Sequence, residues 1–304
     1  MRVIVTGGTG FIGSALCREL LAAGHLPVVL SRDPQRALAR LGAGVEAARW
    51  EPGRGGDWQQ TLDGADAVIN LAGESIAAGR WTAARKAAIR DSRVASTRSL
   101  VEAIGRAGRR PKVLLNASAT GYYGPRGDDP VTEDDSPGDD FLARVCRDWE
   151  AEARAAEAFG VRVALVRTGV VLGRGGGALA RLLPPFKLFI GGPLGNGRQG
   201  FPWVHLADVI GVYLWALQDE AATGPLNATG PRPITNKQFC QALGRVLGRP
   251  CWAPVPGLAL KLLLGEMAEA LLLQGRKVLP ARTEQLGYRF KFPTAEAALR
   301  DILR

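Results

Sequence analysis

Short apolar segments alternate with longer amphipathic segments through the first part of the chain. Residues 3–5, 27–30, 45–48, 65–73, 112–116 and 161–167 have the length and composition of buried strands. Residues 11–23, 82–107 and 141–159 have the spacing of amphipathic helices. Strands that alternate with helices favour a parallel sheet, because each parallel crossover needs a helix-sized connection. The pattern therefore predicts an α/β fold with a doubly wound parallel sheet.

The pattern changes after residue 173. Glycine-rich stretches at residues 174–177 and 191–200 predict loops, and residues 201–209 predict a short strand that leads into a helix ending near Leu217. The apolar run 258–273 is interrupted by charged residues, so it predicts an amphipathic helix that does not span a membrane. We expect two units, residues 1–173 and a smaller C-terminal lobe of residues 174–304, with the helix from about residue 208 packing back on the sheet.

A glycine turn joins the first strand to the first helix. Gly7, Gly10 and Gly13 recur at three-residue spacing. A glycine at the first position permits a sharp turn, the second lets a pyrophosphate approach the backbone, and the third lets the helix lie close to the strand. The turn residues Thr9, Gly10, Phe11, Ile12 and Gly13 therefore predict a dinucleotide-binding site at the helix N-terminus, in a Rossmann-type sheet.

The end of the second strand bears on the choice of cofactor. Ser31 and Arg32 stand where an acidic residue would bind the 2′-hydroxyl of NAD(H). A hydroxyl and a guanidinium suit the 2′-phosphate of NADP(H). Asp33 follows before Pro34, where capping of the next helix is its expected role. The sequence therefore favours NADP(H) over NAD(H).

The fourth strand ends in a turn of small residues, Leu71, Ala72 and Gly73. Small side chains would let the backbone lie against the adenosine and ribose part of the cofactor. Arg93, on the long helix that follows, is a candidate for the cofactor phosphates or the nicotinamide ribose, because a guanidinium forks well onto such oxygens.

Composition excludes several other classes of protein. The net charge is +10, but the basic residues are dispersed and no stripe of basic and aromatic residues suggests nucleic-acid binding. Four scattered cysteines and two histidines predict neither a disulfide framework nor a metal site. No signal peptide precedes the first strand, so we expect a cytoplasmic protein that does not enter the membrane.

The glycine spacing resembles the extended, nucleotide-sugar-epimerase-like branch of the short-chain dehydrogenase/reductase superfamily, and the resemblance covers essentially the whole chain. That branch has a serine at the end of the fifth strand, a Tyr-x-x-x-Lys pair and a later His-x-x-Asp element. Ser118 matches the serine, and His205 with Asp208 matches the later element. The resemblance implies a Rossmann fold, a nicotinamide cofactor and a small-molecule substrate.

The Tyr-x-x-x-Lys pair is missing. Leu142 falls at the tyrosine position and Cys146 at the lysine position, and the helix of Arg93 lacks the asparagine of relatives. These departures resemble an atypical subgroup of epimerase-family proteins that carry a distinctive C-terminal segment. Residues 273–280 and 286–293 match that segment.

The missing tyrosine leaves the proton donor open. Ser118 can orient a substrate or donate one hydrogen bond. Tyr122 or Tyr123 in the following loop is a second candidate, chiefly Tyr122, with packing of both tyrosines as the alternative. Cys146 is a third candidate if neighbouring arginines stabilise its thiolate, although a lone helical cysteine is more often buried packing.

Two further sets of residues have competing interpretations. For His205 and Asp208 a hydrogen bond that joins the two lobes is favoured over catalysis. Arg174 and Arg198 lie in glycine-rich loops and could clamp an anionic substrate, with solvation as the default.

The sequence thus predicts an NADP(H)-binding, short-chain dehydrogenase/reductase-like oxidoreductase or epimerase beneath a substrate-side lobe. Its expected substrate is a small polar molecule, with phosphorylated and nucleotide-linked compounds as the options. The alternative is a degenerate NADP(H)-binding or redox-sensing module. A homodimer formed through the helices at 82–107 and 141–159 is expected by analogy with relatives.

Overall fold

The computed structural model describes the whole chain, residues 1–304. Its strands are β1 (Arg2–Thr6), β2 (Leu26–Ser31), β3 (Glu46–Arg49), β4 (Ala67–Asn70), β5 (Val113–Ala119), β6 (Pro130–Val131), β7 (Arg162–Thr168), β8 (Val170–Leu172), β9 (Trp203–His205), β10 (Gly224–Ala228) and β11 (Lys277–Val278). Its helices are α1 (Phe11–Ala22), α2 (Pro34–Leu41), α3 (Ala83–Arg106), α4 (Phe141–Arg154), α5 (Leu179–Lys187), α6 (Leu206–Gln218), α7 (Asn236–Leu247), α8 (Gly257–Leu264), α9 (Glu266–Ala268), α10 (Ala281–Gln285) and α11 (Ala295–Leu303). Short 3₁₀ segments cover Asp57–Leu62, Thr120–Tyr123 and Ala155–Phe159, and a π-helical turn covers Glu269–Leu273.

Seven parallel strands form the main sheet in the order β3-β2-β1-β4-β5-β7-β10. The predicted doubly wound parallel sheet is confirmed. The chain winds outward from β1 to β3 and then in the opposite direction from β4 to β10. The reversal leaves a crevice at the carboxyl ends of β1 and β4, where ligands bind in sheets of this type.

The sheet is covered on both faces. On one face α1 and α6 bury a core that includes Leu16, Leu20 and Tyr213, so the helix expected from about residue 208 does pack back on the sheet. On the other face α3 and α4 bury residues such as Leu100 and Ile104. Because the central strands β1 and β4 are buried from both sides, their apolar residues form continuous rather than alternating runs.

Residues beyond 173 contribute to the main sheet and also form a core of their own. The sequence pattern did not predict β10, which is the seventh strand of the sheet, so residues 174–304 include part of the main layer. A separate core forms where α5, α7 and α11 meet around Phe239 and Leu299. The division into two domains at residue 173 stays a prediction.

One local expectation was wrong. The run 258–273 is not one helix, because Gly265 takes φ 64° and ends α8 before α9 and the π-helical turn begin. The short strands β6 and β11 pair in parallel and join the segment after β5 to the C-terminal tail. No helix has the length and apolar composition needed to cross a membrane.

Candidate functional site

The glycine turn between β1 and α1 lies directly against the end of β4. Gly7 has φ 66°, and its carbonyl accepts the Gly10 N–H at 2.9 Å. A Cβ on Gly7 would lie 2.8 Å from the carbonyl carbon and oxygen of Leu71. Only glycine combines this dihedral angle with this close approach. The turn and the small-residue turn at Leu71 are therefore brought together at the crevice.

The N-terminus of α1 offers free donors to an anion. The backbone N–H groups of Phe11, Ile12 and Gly13 have no acceptor within the chain, and no side chain caps the helix. Gly10 is exposed, and a Cβ there would meet only the Gly7 carbonyl oxygen, at 3.2 Å. Free N–H groups beside an open glycine have the geometry of a phosphate site.

A cavity of about 400 Å³ opens beside this turn. Its wall includes Thr9, Gly10 and Phe11 together with the basic residues Arg18, Arg40 and Arg174. Cations around a helix N-terminus add to the attraction of that end for anions.

Arg174 is not free to clamp a substrate, contrary to one of the expectations from the sequence. Its guanidinium donates to the carbonyl oxygens of Ile302 at 2.8 Å, Asp301 at 3.3 Å and Arg304. It therefore binds the carbonyl end of α11, where a cation complements the helix dipole. The side chain of Arg198 is exposed and makes no hydrogen bond or ion pair within the chain, so its role as an anion clamp stays a prediction.

The end of β2 presents an unpaired guanidinium. Arg32 is exposed and has no ion pair or hydrogen bond, while the Ser31 hydroxyl contacts the backbone of Asp33. The Asp33 carboxylate accepts the Arg36 N–H at 3.0 Å and caps α2, as predicted. Because this carboxylate is engaged in the cap, Arg32 is the charged side chain left at the strand end.

Buried polar side chains fix the turn after β4. The Thr6 hydroxyl accepts the N–H groups of Leu71 and Ala72, both at 3.1 Å, and donates to Asn70 at 2.6 Å. Asn70 in turn donates to Asn116 at 2.6 Å. This network was not predicted from the sequence, although polar residues at the carboxyl ends of apolar strands are a visible signal for it.

Arg93 reaches this turn from α3. A Cβ on Gly73 would lie 2.8 Å from the Arg93 guanidinium carbon. The guanidinium donates to the Ile89 carbonyl at 3.0 Å and lies 5.3 Å from the Trp149 ring centroid. It has no carboxylate partner, and burial lowers its pKa. The structure thus places the Arg93 guanidinium beside the exposed Gly73.

Ser118, at the end of β5, belongs to a buried ionic network. Its hydroxyl donates to Glu150 at 2.6 Å, and Glu150 forms a two-bond ion pair with Arg167, each bond 2.9 Å long. All three residues are buried. Since the Ser118 proton is directed at a carboxylate, its oxygen is left to accept a hydrogen bond. Glu150 and Arg167 were not predicted from the sequence, because their partners lie on separate elements.

Tyr122 lies on the other side of Arg167. The Arg167 guanidinium carbon is 3.4 Å from the Tyr122 ring centroid, and the two neighbouring tyrosine rings meet edge to face. The half-buried Tyr122 makes no hydrogen bond through its hydroxyl within the chain. Tyr123 is instead fully buried and bonds Asn227 and Arg167. Of the two tyrosines, only Tyr122 has a hydroxyl without a hydrogen-bond partner in the chain.

Leu142 and Cys146 both lie on the buried side of α4, against the loop that follows β5. A Cβ on Gly121 would be 3.4 Å from the Leu142 Cβ and 3.7 Å from the Cys146 Sγ. Burial, with Glu150 nearby, raises the pKa of Cys146 to about 11 against the lowering effect of Arg93. The thiol is therefore protonated at neutral pH, which disfavours a thiolate nucleophile and leaves a proton donor.

His205 and Asp208 tie α6 to the C-terminal tail. Asp208 accepts the N–H groups of Lys291 at 2.7 Å and Phe292 at 3.1 Å. The Nδ1 atom of His205 accepts the Ala207 N–H at 3.0 Å and caps α6. These contacts agree with a structural role for His205 and Asp208, because both side chains are engaged in holding backbone groups of α6 and the tail.

Known proteins are similar to this chain in sequence and in fold. The sequence model of the NAD dependent epimerase/dehydratase family matches residues 3–228, and a domain of unknown function (DUF1731) matches residues 255–302, which include both tail segments. The epimerase family protein SDR39U1 homolog, chloroplastic, of Arabidopsis thaliana is 43% identical over 310 residues, covering all of this chain and 87% of its own.

Two solved structures are also similar. The crystal structure of human epimerase family protein SDR39U1 (isoform 2) with NADPH has a TM-score of 0.89 and 39% identity, over 99% of either chain. The nucleoside-diphosphate sugar epimerase from Corynebacterium glutamicum has a TM-score of 0.78 and 33% identity, over all of this chain and 58% of its own. The resemblance identified from the sequence motifs is confirmed.

Proposed function

The chain belongs to the NAD dependent epimerase/dehydratase family, and from this premise we propose that it binds NADP(H) and acts as an oxidoreductase or epimerase on a small polar substrate. The observation that carries the proposal is the glycine turn. There, free N–H groups, an open Gly10 and the close approach to Leu71 form a cradle that added side chains would fill. The human relative solved with NADPH supports the same cofactor.

The residues at the crevice fit the parts of this cofactor. The N–H groups of Phe11 and Ile12 would hold the pyrophosphate, and the turn of Leu71, Ala72 and Gly73 would border the adenosine ribose. Ser31 and Arg32 would bind the 2′-phosphate, and Arg93 would contact a phosphate or the nicotinamide ribose. When bound, the nicotinamide supplies or accepts a hydride.

On the substrate side, Ser118 would accept a hydrogen bond from a substrate hydroxyl and orient it, with Glu150 and Arg167 fixing the serine rotamer. Tyr122 and Cys146 are the two candidates for the proton donor. A phenol hydroxyl can donate a proton, and so can the Cys146 thiol, whose raised pKa keeps it protonated at neutral pH, so either group could protonate a developing alkoxide. We expect Tyr122→Phe and Cys146→Ser to separate them, since only removal of the true donor should lower kcat.

The cofactor assignment is tested by titrating the protein with NADPH and NADH and following nicotinamide fluorescence. Arg32→Ala should weaken NADPH binding roughly 10- to 100-fold, because a hydrogen bond to a charged group contributes about 1.5–3 kcal/mol. NADH affinity should be unchanged. Arg36→Ala is the matched control, since this exposed arginine on α2 also lacks a side-chain partner. Equal effects of the two variants would exclude a specific contact with the 2′-phosphate.

A second candidate function is a binding module that no longer turns over substrate. It is favoured by Leu142 and Cys146, which place an apolar side chain and a high-pKa thiol where relatives carry the catalytic pair. A screen of carbonyl and sugar substrates against bound NADPH separates the two proposals. Turnover that disappears in Ser118→Ala would exclude the module, and tight binding without turnover would support it.

Location and assembly are further parts of the proposal. The four cysteines are unpaired, which supports a reducing compartment such as the cytoplasm, although the relative from Arabidopsis is named chloroplastic. A homodimer through the exposed faces of α3 and α4 is testable by light scattering. Monomeric protein at micromolar concentration would contradict it.

A further inference from the structure

Arg276 is a buried cation without an acidic partner. It lies in the C-terminal segment 273–280, directly before β11, and only 5% of it is exposed. Its Nη1 atom donates to the Thr120 carbonyl at 2.7 Å, which is its single hydrogen bond within the chain. No carboxylate oxygen lies within 4.0 Å of its nitrogens. Four of its five N–H donors therefore have no partner in the protein.

The guanidinium occupies the space beside the end of β5. A Cβ on Gly121 would lie 3.9 Å from the Arg276 Nη1, and the same point is 3.7 Å from the Cys146 Sγ. Thr120, which accepts the hydrogen bond, is two residues beyond Ser118. The tail thus delivers a positive charge near Cys146, the residue that falls at the lysine position of the family pattern.

Burial of this charge is unfavourable as the chain stands. Removing a guanidinium from water costs several kcal/mol unless an opposite charge or several hydrogen bonds replace the solvent. Burial lowers the pKa of Arg276, and Asp140, which opposes this effect, is engaged in capping α4 through the Ala143 N–H at 2.7 Å. An uncharged side chain could bond the Thr120 carbonyl at a lower desolvation cost.

A second unpaired cation borders the same region. The Arg93 guanidinium lies beside Gly73 at the end of β4, and it also lacks a carboxylate within 4.0 Å. Because β4 and β5 are neighbouring strands, Arg93 and Arg276 lie at adjacent strand ends, one on α3 and one in the tail, and both lower the pKa of Cys146. Arg93 is on the side of the small-residue turn, which leaves Arg276 as the cation on the side of Ser118.

We propose that Arg276 binds the oxyanion of the substrate, a carboxylate or phosphate group, next to the Ser118 hydroxyl. The proposal rests on the proposed function, because it takes the cofactor to lie along Gly73 and Arg93. A guanidinium with free N–H donors forks onto two oxygens of such a group, so the substrate class is a small carbonyl or hydroxyl compound with an acidic group close to the reacting carbon.

The test is a calorimetric titration of oxalate and, separately, inorganic phosphate into the protein, with and without saturating NADP⁺. The variants are Arg276→Gln, which can still bond the Thr120 carbonyl, and Arg276→Lys, which keeps the charge. Arg289→Gln is the matched control, because Arg289 is exposed in the same tail and has no side-chain partner. Thermal unfolding and NADPH affinity are measured on each protein.

We expect the wild type to bind at least one of the two anions, and the preferred anion identifies the acidic group. Arg276→Gln should weaken that binding at least about tenfold, Arg276→Lys should keep part of it, and the control should match the wild type. NADPH affinity should stay unchanged in all variants. Loss of anion binding in Arg276→Gln without added NADP⁺ would support the site even if NADPH failed to bind the wild type.

Three results would overturn the proposal. The first is that neither anion binds the wild type, and the second is that Arg276→Gln binds the anion as tightly as the wild type does. The third is that Arg276→Gln loses NADPH affinity, which would assign this arginine to the cofactor.

Discussion

The second and third glycines of the turn should respond to alanine in opposite ways. A Cβ on Gly13 would lie 2.2 Å from the Gly7 carbonyl oxygen and 2.8 Å from the Gly8 Cα. Both are backbone atoms that cannot rotate away. A Cβ on Gly10 would meet only the Gly7 carbonyl oxygen at 3.2 Å, and its backbone, at φ −75° and ψ −179°, is open to any residue. Gly13→Ala should therefore damage the fold, and Gly10→Ala should damage the ligand site.

The magnitudes follow from these contacts. Overpacking a tight site costs about 1–3 kcal/mol, and the better helix propensity of alanine returns about 1 kcal/mol. Because the clashing atoms belong to the backbone, the overpacking cost lies near the upper end of this range, so Gly13→Ala should lose about 2 kcal/mol and lower the Tm by roughly 3 °C. Gly10→Ala replaces a glycine N-cap by alanine, which costs below about 1 kcal/mol. Its methyl group would stand where a pyrophosphate must approach, so NADPH affinity should fall at least roughly tenfold.

The assay is a thermal melt together with an NADPH fluorescence titration on both variants. The predicted pattern is a lowered Tm for Gly13→Ala, and a near-normal Tm with weak binding for Gly10→Ala. If Gly10→Ala bound NADPH as tightly as the wild type, the phosphate would not lie at this turn and the central argument for the cofactor site would be wrong.

Three further predictions concern the interior. Arg167→Met should lower the free energy of unfolding, measured by urea melts, by about 3–5 kcal/mol, because it leaves Glu150 buried and unpaired. The double variant with Glu150→Gln should recover part of that loss. Asp208→Ala should cost about 2–5 kcal/mol by removing the acceptor of two backbone N–H groups of the tail, and limited proteolysis should then cut the tail faster than in the wild type. With a pKa of about 11, roughly one Cys146 thiol in a thousand is ionised at pH 8. Iodoacetamide should therefore alkylate Cys146 slowly and the half-buried Cys251 faster, as followed over time by mass spectrometry. Fast labelling of Cys146 would show that its thiolate is stabilised.

Features that depend on local backbone geometry and burial could be predicted from the sequence. Residues 1–13 predicted a strand, a turn and a helix, and Gly7 and Gly13 are required there by a positive φ and by close contacts. Asp33 caps α2 as predicted, since capping needs only a carboxylate at one position of one turn. The parallel sheet was predicted from apolar runs of strand length, because a strand that is buried on both faces needs apolar side chains on both.

The pairing of charged groups depends instead on how distant elements pack, and no local pattern predicted it. Arg174 was a candidate anion clamp, but it binds carbonyl groups at the end of α11, 128 residues away for Ile302. Arg276 reaches the Thr120 carbonyl across 156 residues, and Glu150 joins Ser118 to Arg167 from a separate helix. Local sequence fixes dihedral angles and the faces that are buried, whereas the partner of a buried charge depends on how distant elements pack. The spacing of residues therefore predicted where a cofactor would lie, and packing determined which side chains surround it.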